Sequence, residues 1–343
     1  MKILKYFKTL TTNVKGRWVN KQIIDVFAKE FRSMSRDYYV GAILNGIITV
    51  NNKHVPLDYV LKHGDKVRHI LHVHEPEPCN IEILYESKDF LVVDKPCGMA
   101  SHPVGLYYYY TITKALENKY GPLSCINRLD IPTSGVLLIS RSNSDIYHSL
   151  MRSMKIKKSY FAKVKGNLKD QEVNVPLLNV PCGNVVADKN GKESRTAFRN
   201  IAFKDGFSLV ECRPFTGRTH QIRVHLKYIG HPIINDPIYG DFKKEKIIGK
   251  ATCDGSVNIH EKEEIDDIFN FSKNAQLIKD PKIKSFIIKN CECENNSVFR
   301  NQKTGIYLHA YTYSLDGMIF KTALPEWVKD FNCKLIDENY QPR

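Results

Sequence analysis

Apolar residues at Ile23, Ile24, Phe27 and Phe31 recur at three- and four-residue spacing, and that period predicts a short amphipathic helix across residues 20–31. A second helix is expected over 35–44, where Tyr38, Tyr39, Ala42 and Ile43 lead into Asn45-Gly46, a dipeptide suited to a positive-φ helix end or turn. The run Ile47-Ile48-Thr49-Val50, the turn at Asn51-Asn52 and residues 58–60 and 64–67 read as a small twisted sheet, with Arg32, Arg36, Lys53 and His54 near its turns. Such a unit of about 50 residues has little core of its own, so it should fold marginally or lean on a larger neighbour.

Glu75-Pro76-Glu77-Pro78 is the expected linker, because each proline restricts its predecessor to extended geometry. Beyond it, 81–84 and 90–93 read as strands, Lys95-Pro96-Cys97-Gly98 breaks the second, and 111–118 reads as helix. Residues 136–140, 160–165, 207–213 and 222–226 add apolar or alternating stretches between Gly, Pro and Asn turns. These strands lack the steady strand-helix period of a doubly wound parallel sheet, which favours an α+β domain with a largely antiparallel sheet. Residues 241–303 are acidic, Asn-rich and poor in aromatics, the texture of an insertion, and aromatic alternation resumes at Tyr307-Leu308-His309-Ala310-Tyr311-Thr312-Tyr313.

Composition adds a partner to this outline. With 343 residues, the chain is long enough for two domains or one large domain with an appendage. Lys and Arg number 51 against 37 Asp and Glu, a net charge of +14 that favours nucleic acid as partner over a merely soluble basic surface. Lys2, Lys5, Lys8, Lys15, Arg17 and Lys21 all precede the first acid, Asp25. This start is compatible with an organellar presequence, although Trp18 and the regular pattern after it read as folded structure. Nine scattered Cys and no secretory segment point to a reduced compartment, cytoplasmic in the first instance, with mitochondrial or nuclear placement also compatible. No apolar run approaches eighteen residues, so no membrane span is expected.

Two polar constellations stand out. Asn127-Arg128-Leu129-Asp130-Ile131-Pro132-Thr133-Ser134-Gly135 opens directly into the apolar run Val136-Leu137-Leu138-Ile139, which makes it either an anchored loop able to hold a nucleophile or a tight turn in which Asp130 and Thr133 satisfy backbone groups. The second runs from Glu211 to His225 and carries Arg213, Arg218, Arg223, His220 and His225; from Gln221 it reads as a strand or a short helix. Arginine at this density can neutralise a phosphate, hold a carboxylate or simply flank a strand as surface charge.

Metal chemistry finds less support. His72 and His74 would share one face of a strand without a convincing third ligand, and Cys291-Glu292-Cys293 is spaced too tightly for a zinc knuckle. The stretch 98–105 lacks the ending of a phosphate-binding glycine loop. The tyrosines Tyr107, Tyr108, Tyr109 and Tyr110 suggest a base-stacking platform, but on a strand at most two could share a face.

Taken together, Arg128-Leu129-Asp130 with Thr133-Ser134-Gly135, the segment Ser159-Tyr160-Phe161-Ala162-Lys163-Val164-Lys165-Gly166, and Thr216-Gly217-Arg218-Thr219-His220-Gln221-Ile222-Arg223-Val224-His225 resemble three ordered motifs of the RluA-like pseudouridine synthases. The start of the chain resembles the S4-like RNA-binding module that often precedes that catalytic domain. Lys15-Gly16-Arg17-Trp18, His72-Val73-His74-Glu75-Pro76 and Asn127, in place of the more usual motif histidine, are most similar to the eukaryotic branch acting at position 32 of transfer RNA.

The resemblance implies a basic extension at 1–19, an S4-like module at 20–74 and a catalytic domain at 75–343. It also implies isomerisation of uridine in RNA, most closely transfer RNA, without metal, cofactor or an obligate protein partner. Asp130 would be the nucleophile, Arg223 its basic partner, and Tyr160 the aromatic residue against the uracil. Arg128 would fill the place of the flipped nucleotide, with Arg218 and His220 as further RNA contacts. Ribosomal or messenger RNA is the alternative substrate. An inactive RNA-binding protein of the same fold would be expected to lack the aspartate, and a DNA-binding regulator would leave most of the chain unused.

Overall fold

The structure, a computed structural model, describes residues 3–31, 34–76, 80–105, 107–141, 157–180, 184–240, 280–290, 305–315 and 317–331. The chain divides into two compact units, residues 1–76 with 258–296 and residues 77–257 with 297–343.

In the first unit the apolar periods form α1 (Ile23–Glu30) and α2 (Arg36–Leu44). Ser35 caps α2 by accepting the Tyr38 N–H, and the helix closes where Gly46 takes φ +68° and the Ile47 N–H reaches back to the Ala42 carbonyl. Residues 1–19, expected as a basic extension, contain strand β1 (Ile3–Asn13). This strand, β2 (Ile48–Val50) and β3 (Lys66–Pro76) form an antiparallel sheet in the order β1-β3-β2. Without β1 one whole edge of β3 would lack ladder partners, which is why this segment folds with the sheet and does not precede it. Glu75 and Pro76, expected in the linker, belong to β3 for the same reason: they lie opposite Leu4 and Ile3, and the fully buried Glu75 accepts a hydrogen bond from Tyr6, while 77–79 lie outside the described residues.

Part of the expected insertion also belongs to this first unit. The helix Pro281–Lys289 brings Phe286 against Tyr38, and a Cβ at Gly41 would lie only 2.6 Å from the Phe286 ring. The rest of 241–303, with Cys291-Glu292-Cys293 and Arg32, lies outside the described residues. Near Phe286, the buried His69 bonds the Tyr38 hydroxyl at 3.0 Å, and burial lowers the His69 pKa to about 4.

The second unit is built on one long sheet. Its strands are β4 (Glu82–Glu86), β5 (Phe90–Lys95), β6 (Ser124–Cys125), β7 (Ser134–Ser140), β8 (Lys157–Lys165), β9 (Gln171–Asn174), β12 (Arg195–Lys204), β13 (Phe207–Pro214), β14 (Leu308–Leu315) and β15 (Met318–Lys321). The separate strands β10 (Leu177–Asn179) and β11 (Val185–Ala187) pair with each other. The order is β4-β5-β7-β14-β8-β13-β12-β9, with β6 added beside β7 and β15 beside β14. Among the described residues the β7–β14 pairing is parallel and the other strand pairings of the sheet are antiparallel, so the sheet is mixed but largely antiparallel, as the interrupted strand pattern predicts. The β7–β14 contact depends on Gly135, which has φ +109° and whose added Cβ would lie 2.2 Å from the Ala310 carbonyl oxygen.

Val92, Leu138, Tyr160, Val210 and Tyr313 share one core, while Phe161, Leu209, Tyr311 and Val328 form a second cluster. Helix α3 (Ile112–Tyr120) contributes Ile112 to the larger core. From Gln221 onward the open choice between strand and short helix resolves as helix α4 (Gln221–Tyr228), whose residues 221–226 are all buried. Tyr107, Tyr108, Tyr109 and Tyr110 are not on a strand: an isolated bridge from Val104 to Tyr107 and a turn carry them, and none is fully buried. Among the described residues no helix is long and apolar enough to cross a membrane.

Candidate active site

The loop between β6 and β7 is pinned along its length. Ser101 Oγ donates to the Leu129 carbonyl and accepts the Leu129 N–H, while the buried Leu129 side chain enters the core. Lys95, fully buried at the end of β5, donates through Nζ to the carbonyls of Pro96, Met99 and Ile131 at 2.8, 2.7 and 3.2 Å. Gly98 and Ile306 donate backbone N–H groups to Ile131 and Pro132, and Thr133 N–H closes on the Asp130 carbonyl. This is the anchored-loop arrangement. The Asp130 backbone makes the turn, and its carboxylate is left to face Arg223.

Arg223 lies on α4 and is 2% exposed, between two carboxylates. Its Nη1 donates to Asp130 Oδ2 at 2.9 Å, while Nε and Nη2 grip Asp236 at 2.6 and 2.8 Å. The fork thus engages Asp236, leaving one bond for Asp130. Asp236 also accepts the N–H groups of Ile238 and Tyr239. Burial alone would raise the Asp236 pKa, but Arg223 and these N–H groups hold it below the ordinary value. Burial likewise opposes the charge on Arg223, yet Asp236 and Asp130 outweigh it and keep the guanidinium above its usual range. The Tyr239 ring lies 4.9 Å from the guanidinium carbon.

His220 precedes α4 at φ +54°, with Nε2 3.8 Å from Asp130 Oδ2 and Nδ1 2.9 Å from the Tyr239 hydroxyl. Burial is the main reason its pKa falls; Arg223 adds to the effect and Asp130 opposes it. Gln221 shapes the preceding turn, its Oε1 accepting from Thr216 Oγ1 and the Arg218 N–H and its Nε2 donating to β12. Arg218 is exposed and donates to the Glu193 carbonyl. Arg128 is also exposed and makes no ion pair or hydrogen bond among the described residues, so its guanidinium is available at the mouth of the Asp130 loop.

Tyr160 on β8 is buried, with its hydroxyl bonded to that of Tyr313 on β14. Burial first, then Tyr313 and the charge of Asp130, push the Tyr160 pKa far above the ordinary phenol. Asp130, Tyr160, Arg223 and His220 therefore converge on one place, with Arg128 and Arg218 exposed on adjoining turns.

Lys95, Asp236 and Tyr313 escape a reading of the sequence. The Lys-Pro break hides a lysine whose role depends on carbonyls of a distant loop, and Asn235-Asp236-Pro237 reads locally as an ordinary turn. Among the described residues no group of three or more His, Cys, Asp and Glu could hold a metal ion.

A family model described as RNA pseudouridylate synthase matches residues 89–228, which contain all six of these expected site residues. The chain is 39% identical over 255 residues to the "tRNA pseudouridine(32) synthase, mitochondrial" of Saccharomyces cerevisiae, covering 70% of this chain and 55% of that one, so it spans just over half of that relative. Identity to "RNA pseudouridine synthase 7" of Arabidopsis thaliana is 34%, over 94% of this chain and 85% of the relative. The "tRNA pseudouridine(31) synthase" of Saccharomyces cerevisiae is 33% identical, with 69% of this chain and 71% of the relative covered. The 34% identity to the plant protein along nearly the whole of both chains, with the match across the Asp130 and Arg223 segments, establishes that the chain belongs to the RluA-like family of RNA pseudouridine synthases.

Proposed function

We propose that this chain converts uridine to pseudouridine within transfer RNA, with position 32 as its target and Asp130 as nucleophile. The observation that carries the reading is the Asp130 carboxylate, set on a pinned loop 2.9 Å from a buried arginine and beside a buried tyrosine. The reaction is internally balanced: the N1–C1′ bond breaks, a C5–C1′ bond forms, the C5 proton leaves and N1 gains a proton. Water is not consumed and must be kept from C1′ while the base turns. Asp130 acts covalently, its oxygen attacking the ribose or base and later leaving. Arg223 aims that carboxylate through its 2.9 Å hydrogen bond from Nη1. Tyr160 lies against the uracil, and Arg128 occupies the gap left by the flipped nucleotide.

Transfer RNA is favoured over ribosomal or messenger RNA by the names of the two yeast relatives, which differ by one position in the target they state. The exposed Arg128 and Arg218 and the net charge of +14 suit a phosphate-rich ligand. Residues 20–74, read as an S4-like module, would add grip on folded RNA. The deciding experiment maps pseudouridine by chemical marking and sequencing in cells with and without the gene. Loss of one mark at position 32 in several transfer RNAs supports the proposal. Loss at position 31, or only in ribosomal or messenger RNA, replaces the substrate, and no loss anywhere rejects the activity.

A further inference from the structure

Strand β8 carries a cation that nothing else in the fold answers. Lys158 stands two residues before Tyr160, so the pleat puts both side chains on one face of the sheet, their Cα atoms roughly 7 Å apart. Ser159 between them turns to the other face, where its Oγ donates to Glu211, so that acid and its partners Arg199 and Arg213 lie across the sheet from Lys158. Lys158 is half-buried and makes no ion pair or hydrogen bond among the described residues. Burial lowers its pKa, and no charged neighbour adds to that shift or opposes it.

The head of this side chain lies against the turn that leads into α4. A Cβ added at the exposed Gly217 would have Lys158 Nζ at 3.7 Å and, its chain neighbours aside, no other described atom within 4 Å, so the space around the ammonium is open. Arg218 follows, exposed, with Nε held on the Glu193 carbonyl and both Nη groups without an acceptor among the described residues. An ammonium partly withdrawn from water with no acceptor is a cost that a bound anion removes, and the anion RNA repeats at every nucleotide is the phosphodiester. We propose that Lys158 is the anchored cation of a phosphodiester subsite at the Gly217 turn, holding the linkage next to the uridine that Asp130 and Tyr160 receive. The subsite rests on the uridine-isomerase reading for the base beside it, but RNA binding measures it without turnover.

Lys158→Met keeps the aliphatic stem and removes the charge. Its Kd for an anticodon stem-loop with uridine at position 32 should rise roughly tenfold, and the slope of log Kd against log salt should fall by about 1, the change expected for one lost phosphate contact. Lys158→Arg should recover most of both, because the positive charge returns. The same stem-loop with a neutral methylphosphonate in place of one linkage locates the contact. At one of the two linkages flanking the target uridine the substitution should weaken binding to the parent and leave Lys158→Met no weaker than before, since the two changes remove one interaction.

A folded Lys158→Met protein with parental Kd and salt slope overturns the subsite, and so do losses that simply multiply at both flanking linkages. If that variant does not fold, Gly217→Val replaces it: the backbone there is not left-handed, and the branched side chain fills the space beside Nζ while Lys158 stays in place. Weaker binding that no longer responds to the neutral linkage then supports the subsite, and parental binding overturns it. A parent protein that binds the stem-loop but converts no uridine removes the isomerase reading, and the binding comparison still decides the role of Lys158. A parent that does not bind the stem-loop overturns the subsite.

Discussion

Asp130 and Asp236 face the same arginine and differ in almost everything else. Asp236 is fully buried, takes two bonds from the Arg223 fork and two more from backbone N–H groups. Asp130 keeps 24% of its side chain exposed and takes one bond from the same guanidinium. The saturated carboxylate holds the arginine still, and the unsaturated one can leave its partner and return without letting the guanidinium swing. The role of nucleophile proposed for Asp130 requires that freedom, and an anchor must lack it.

The widest break in this comparison comes from Asp130→Asn. It should abolish pseudouridine formation while moving the unfolding temperature little, because a partly exposed single bond contributes little stability. Measurable product from the purified variant would remove Asp130 from the nucleophile's role. Asp236→Asn should do the reverse in stability, costing on the order of 3–5 kcal/mol by leaving Arg223 buried with half its charge unanswered. Denaturant unfolding reads this directly, and an unchanged midpoint would mean that the two carboxylates are interchangeable. Arg223→Lys should fall between: an ammonium cannot span both carboxylates in a planar fork, so both rate and stability drop and neither vanishes.

Acid sharpens the contrast between burial and function. His309 on β14, bonded to Ser134 at the start of β7, and His69 in the other unit are each held neutral by burial, with pKa values lowered to about 4. Between the ordinary histidine value of about 6.5 and that lowered value the unfolded chain binds more protons, so stability falls as pH drops, by up to roughly 1.4 kcal/mol per unit for each group. Asp236 adds its own loss only below the ordinary carboxylate range, since its folded pKa is depressed. Unfolding followed from pH 7.5 to 4.5 should therefore decline well before carboxylates titrate; a flat profile would show that these histidines are not buried neutral.

The smallest effect belongs to exposed Arg128. Its replacement by alanine should slow reaction on a folded anticodon stem-loop more than on an unstructured strand, because base extrusion costs a few kcal/mol only where stacking must be broken. Single-turnover rates at saturating protein give the ratio, and equal slowing on both RNAs would reassign Arg128 to holding the loop.

Much of this was legible along the chain because it is local. Apolar spacing marked α1 and α2, and a polar stretch opening into Val136-Leu137-Leu138-Ile139 marked the Asp130 loop before β7. The three motifs carried the family, and with it Asp130, Tyr160 and Arg223. What the sequence by itself determined is therefore each piece whose signal lies within a dozen residues: helix periods, turn chemistry and the ordered motifs. Tertiary structure alone decided that Asp236 takes the arginine fork, that Tyr313 meets Tyr160 across 153 positions, and that Lys95 holds a loop 36 residues away. It also paired β1 with β3, putting the first residues into a sheet that local composition reads as a basic extension. The physical reason is common to all four. A buried hydrogen bond or ladder is set by which groups would otherwise be left unpaired in the folded chain, and that depends on neighbours brought together by topology, which no local period encodes.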